Sequence, residues 1–158
     1  MKKHQASAAF FLILAIAAAI VTGTDFLAKR EPYPIYKGPG VTEVRMLSEW
    51  FEGLKGSPGD TEVYVLDSGV PGASMLVLGG THPNEPSSHI SAVMLVENAL
   101  PASGVLYVIP RANASGFTHN DPQEGAPQSF AIQTPAGPRT FAYGSRATNP
   151  IHQWPDPN

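Results

Sequence analysis

The stretch ASMLVLGGTHPNEPSSHISAVMLVENALPASGVLYVIP, residues 73–110, decides the architecture of this chain. It opens on an apolar run, Ala73 to Leu78, and turns through Gly79 and Gly80. Ile90, Val93, Met94 and Val96 then recur at helical spacing, and a second apolar run follows from Val105 to Ile109. Pro86 suits a first helical turn, while Pro101 and Gly104 stop the helix, so Ser87 to Leu100 is the helical part. Both apolar runs read as strands buried on both faces. A strand, helix and strand over about 35 residues have the length of a right-handed crossover, which makes the two strands parallel neighbours. The class expected is α/β: a mainly parallel sheet with flanking helices.

Working outward, Glu62 to Asp67 reads as an earlier strand and Ser68 to Gly72 as the turn that follows it. Before it, Val44, Leu47, Trp50, Phe51 and Leu54 recur at helical spacing and Gly56 supplies a stop, which predicts an amphipathic helix over Thr42 to Lys55. Pro32, Pro34 and Pro39 make Asp25 to Gly40 an extended linker. Beyond Pro110 the character changes: residues 112–158 hold seven prolines and no periodic run. Phe117, Phe130, Phe141, Tyr143, Ile151 and Trp154 still offer surface to pack, so an ordered loop is expected there, and a loop of that length is usually functional.

At 158 residues the chain has room for one domain. Only 15% is charged, while Gly 15 and Pro 16 are abundant, a composition that fits an ordered, loop-rich body. A net charge of -3 argues against a nucleic-acid binder that works by neutralising phosphates. Zero cysteines exclude disulfides, thiolate metal sites and cysteine nucleophiles, so any metal must be held by His, Asp and Glu. Lys2 and Lys3 precede an unbroken apolar run from Ala8 to Val21, as in a secretory signal. Gln5 to Thr24 is also an uncharged stretch of 20 residues, enough to span a bilayer core of roughly 30 Å. Val21-Thr22-Gly23 is a passable cleavage site, but a well-placed Ala-x-Ala is missing, and a retained anchor is slightly preferred to a cleaved signal. Either way the rest of the protein lies outside the cytoplasm, membrane-anchored or secreted to the periplasm or beyond. The organisation is 1–24 signal or anchor, 25–40 linker and 41–158 body.

Ligands of an open parallel sheet gather where strands end and helices begin. Gly79-Gly80-Thr81-His82-Pro83-Asn84-Glu85-Pro86 occupies that place. His82 and Glu85, three apart on a turn, can direct a ring nitrogen and a carboxylate oxygen at one point, a donor set that suits Zn²⁺. The plainer alternative is a surface histidine beside a helix-capping glutamate. His89 lies on the following helix, whose geometry points it along the flank. His119 and His152 sit in the long loop, lining a cleft or facing solvent, and His4 belongs to the leader.

Leu-Gly-Gly-Thr-His-Pro-Asn-Glu-Pro, followed one strand later by Tyr-Val-Ile-Pro-Arg-Ala-Asn-Ala-Ser-Gly, resembles the zinc carboxypeptidase superfamily, specifically its succinylglutamate desuccinylase and aspartoacylase branch. The resemblance covers about residues 60–120 well and the remainder loosely. It implies a carboxypeptidase-like fold, one zinc ion with His82 and Glu85 as its first two ligands, and a peptide or small-molecule substrate bearing a carboxylate. Asn113 to Gly116 takes the place of the Asn-Pro-Asp-Gly turn, without its Pro and Asp, and Asn113 becomes a substrate-binding candidate. Arg111 is a second one, able to clamp a carboxylate with two bonds if it faces the cleft, or else a surface arginine beside an acidic neighbour. The family's third ligand, its Asn-Arg pair and its general-base Glu have no match; after Asn113 the acids are only Asp121, Glu124 and Asp156. The chain is therefore expected to be the first part of a longer domain, inactive alone.

Two functions follow. One is an exported zinc-dependent amide hydrolase, cutting a C-terminal peptide bond or an N-acyl amino acid. The other is a cell-surface binding protein that keeps the fold without the chemistry. A serine hydrolase ranks behind both, since no Gly-x-Ser-x-Gly elbow occurs. Asn113-Ala114-Ser115 is also a glycosylation sequon, though a sugar there would block the cleft.

Overall fold

The computed structural model describes residues 2–28, 32–119 and 127–153. Asp121, Glu124, Trp154 and Asp156 lie outside the described residues. The chain divides into two units, Met1–Pro32 and Tyr33–Asn158. The first carries helix α1, Lys2–Ala28. Its stretch His4–Ala28 is 25 residues with no part buried, long and apolar enough to cross a membrane. The helix thus runs past the apolar core into the expected linker. Thr22 and Thr24 do not interrupt it, because their hydroxyls donate back to the carbonyls of Ala18 and Ile20 at 2.8 and 3.0 Å.

The second unit is mixed α/β. Strands β1 (Glu43–Met46), β2 (Glu62–Asp67), β3 (Ser74–Leu78) and β4 (Val105–Ile109) form one sheet in the order β1-β2-β4-β3. Helix α2 (Pro86–Asn98) joins β3 to β4, and these two strands are parallel neighbours, as the crossover reading requires. The other pairings, β1 with β2 and β2 with β4, are antiparallel, so the sheet is mixed and not mainly parallel. The reason is that β2 enters beside β4, between the crossover and β1, and not beyond β3.

The helix expected over Thr42 to Lys55 is instead strand β1 followed by two short 3-10 turns, Leu47–Glu49 and Glu52–Leu54. The free edge of β2 outcompetes the helical period: Glu43 to Met46 pair with Val65 to Glu62, and Thr42 adds two bonds to the Val65 carbonyl. Trp50 and Phe51, read as a buried stripe, are exposed, with Trp50 edge-on to Tyr107. Strand β3 also departs from the expectation of double burial. It is an edge strand, and Met75, Leu76 and Leu78 are more than half exposed.

Alternation along the strands puts Tyr64, Leu66 and Val108 on one face, where Ala92 and Val96 of α2 cover them to form the core. Each fully buried aliphatic side chain there contributes roughly 1.5–3 kcal/mol. Residues 33–38 run without regular secondary structure into a turn at Pro39-Gly40, and they dock on the end of α2. The Tyr36 N–H donates to Glu97 at 3.0 Å and the Gly38 N–H to the Val96 carbonyl at 3.3 Å. Gly38 lies so close to α2 that a β-carbon would meet the Glu97 carbonyl oxygen at 2.2 Å. In the long loop, Ser129–Thr134 (β5) and Gly137–Ala142 (β6) form a hairpin around Pro135-Ala136 that the sequence reading did not contain.

Candidate functional site

Two chain exits run side by side at the carboxyl ends of β3 and β4. Gly79 donates to the Ile109 carbonyl at 2.8 Å, its own carbonyl accepts from Ala112 at 2.8 Å, and the Gly80 carbonyl accepts from Asn113 at 3.2 Å. Gly80 adopts a φ of +65°, with the Pro110 carbonyl oxygen and the Phe117 ring against the space a side chain would take. Only glycine fits both demands. The chain then folds into a tight turn closed by the Glu85 N–H on the His82 carbonyl at 2.9 Å, with Pro83 fully buried beneath it. Tyr143 fastens the turn from the far loop, its hydroxyl donating to the Asn84 carbonyl at 2.8 Å.

This turn places His82 Nδ1 3.4 Å from Glu85 Oε1, both side chains open to solvent. Two donors each about 2.0–2.1 Å from a tetrahedral ion stand about 3.4 Å apart, so the spacing fits a shared zinc. Arg146 reaches the same Oε1 with Nη1 at 3.6 Å. Among the described residues no third His, Asp or Glu completes a metal-binding group.

Arg146 arrives on a strap, residues 143–153, that wraps the turn after β4. Ser145, fully buried, donates its N–H to the carbonyls of Gly116 and His119 at 3.0 and 2.9 Å. Asn149, also buried, donates through Nδ2 to Thr118 Oγ1 at 2.8 Å. The strap ends by setting His152 Nδ1 2.8 Å from Ser115 Oγ. Ser115 and His152 line a cleft of ≈ 500 Å³ together with Thr81, Asn113, Thr148 and the Ser57-Pro58-Gly59 loop. None of its lining residues carries a fixed charge.

Asn113 keeps a place at this cleft. Its Oδ1 accepts from Gly116 N–H at 2.9 Å and so starts the 3-10 turn Ala114–Thr118. Arg111 does not line it. Its guanidinium donates to the Tyr33 carbonyl, and burial pulls its basicity down while Glu62 and Tyr64 oppose that fall. Tyr64 in turn donates to Glu62 at 2.9 Å, and burial followed by that carboxylate pushes its phenol upward. His89 is buried on α2. Its Nδ1–H donates to the Pro110 carbonyl at 2.9 Å and its ring packs on Phe117 and Phe141; burial lowers its basicity. His119 is half-buried and enters the strap only through its carbonyl. The sequon is folded inward, with Ser115 buried.

Arg146 and the pairing of Ser115 with His152 went unread in the sequence. Partners 37 positions apart inside a proline-rich loop leave no local period or motif to find. No family model, curated protein or solved structure matches the chain, so its functional reading rests on this geometry and on the residues that build it.

Proposed function

We propose that the chain carries the first part of a zinc-dependent amide hydrolase of the carboxypeptidase type, in its desuccinylase and aspartoacylase branch, held outside the cytoplasm by α1 as an anchor or exported by it as a signal. The carrying observation is the 3.4 Å approach of His82 Nδ1 to Glu85 Oε1 at the end of β3. His82 and Glu85 would hold the ion, which when bound polarises a scissile carbonyl and acidifies its water. The rest is the work of side chains. Arg146 now shares Glu85 Oε1, and once that oxygen turns to a cation the guanidinium is free to take a substrate carboxylate. Asn113, at the cleft wall, orients the substrate's polar groups. A third ligand and the general base come from outside the described residues. The second reading, a binding protein that keeps the fold, is favoured by a donor set that numbers two among the described residues.

Titration of the detergent-solubilised full chain with Zn²⁺ tests the metal. One ion per chain is expected, bound at least about tenfold more weakly after His82→Ala or Glu85→Gln. Equal affinity in all three proteins overturns the assignment. An N-acyl amino acid or peptide that binds the zinc-loaded protein uncut, even with the whole reading frame expressed, supports the binder.

A further inference from the structure

We propose that Ser115 is a nucleophile with His152 as its base, and that this pair accepts an acyl group from a small ester, independently of any metal. The Oγ to Nδ1 distance is 2.8 Å, inside the range for proton transfer between a hydroxyl and an imidazole. The Asn149 N–H donates to the same Oγ at 3.2 Å, which fills one acceptor position of the oxygen and leaves its proton free for Nδ1. Both side chains line the cleft, and so does Asn113. Asn113 Oδ1 is held by the Gly116 N–H, which fixes this amide on the same cleft wall as the serine. The absence of fixed charge from the cleft wall suits an uncharged acyl group.

In the first step Ser115 Oγ bonds to the ester carbonyl carbon and its proton passes to His152 Nδ1. The carbon–oxygen bond to the leaving alcohol breaks, and the alcohol takes that proton from His152. Water then attacks the acyl-serine, gives its proton to His152, and the carboxylic acid departs as Ser115 regains its proton. No ion pair joins His152 to a carboxylate among the described residues. Deacylation is accordingly slow, and the reaction shows as a lasting adduct and not as rapid turnover.

p-Nitrophenyl acetate is the probe, applied to the detergent-solubilised full chain in excess chelator, with the adduct located by peptide mass spectrometry. An acetyl group on Ser115, absent from Ser115→Ala and formed at least about tenfold more slowly in His152→Asn, is the expected result. The adduct forms at the same rate when Zn²⁺ replaces the chelator, which separates this site from the zinc reading. Acetyl spread over lysines, or a Ser115 adduct indifferent to His152→Asn, overturns the proposal. Should Ser115→Ala fail to fold, Ser115→Cys supplies the single thiol of a cysteine-free chain. Its alkylation by iodoacetamide must slow when His152→Asn is added, and equal rates refute the pairing.

Discussion

Glu97 of α2 grips Arg139 of β6 through both carboxylate oxygens, 42 positions away along the chain. The same carboxylate accepts the Tyr36 N–H, and the Arg139 guanidinium lies over the rings of Phe141 and Tyr36 at 4.9 and 5.3 Å. One acid thereby ties the entering segment and the hairpin to the helix. Glu97→Gln removes the charge from all three bonds and should lower stability by about 1–3 kcal/mol, read as a drop in melting temperature.

Arg146 makes the opposite case. Its pair with Glu85 is 3.6 Å long with both side chains more than half exposed, a setting in which ion pairs are worth about 0–1 kcal/mol. Arg146→Ala should leave the melting temperature unchanged while strengthening zinc binding by a factor of a few, since a competitor for Glu85 is gone. Calorimetric titration beside a thermal melt checks both halves.

The buried imidazole of His89 gives the fold a pH dependence of known sign. Burial holds its folded value below 6.5, so the unfolded chain binds more protons near that pH. Its contribution is complete above pH 6.5 and declines as the pH falls from there toward the lower folded value. His89→Gln keeps a donor for Pro110 without a titrating ring, and should flatten the slope of stability against pH below 6.5.

Gly80→Ala tests the bend that aims His82. A β-carbon there meets the Pro110 carbonyl oxygen at 2.7 Å on a backbone at φ +65°. A loss of about 1–3 kcal/mol is expected from the strain alone, with weaker zinc binding in the same protein.

How far the sequence foretold the molecule varies by region. The crossover was legible because Ala73 to Ile109 combines two short apolar runs with a helix bounded by Pro86 and Gly104, and each of those signals is local. Helix α1 was legible for the same reason, as unbroken hydrophobicity. The segment Thr42 to Lys55 was not, since the ladder that claims Val44 is made with residues near Val65 and outweighs a helical period. The hairpin was hidden because Pro138 interrupts the pattern of β6, and a two-stranded ribbon tolerates a proline that an inner strand would not. At the site, His82 and Glu85 were readable as near neighbours. Arg146 and His152 depend on a strap whose path is fixed by buried Ser145 and Asn149, polar residues that composition assigns to the surface.

The outer border of β3 has an outcome for the life of the chain. Ser74–Leu78 contains no charge and no proline, the usual guards of an open border, and among the described strands it pairs with β4 alone. Its bare amides and the sulfur and methyl groups of Met75, Leu76 and Leu78 make a template on which any stretched polypeptide can settle. Chaperone demand during synthesis, and yield in concentrated solution, will therefore follow how quickly that border is hidden.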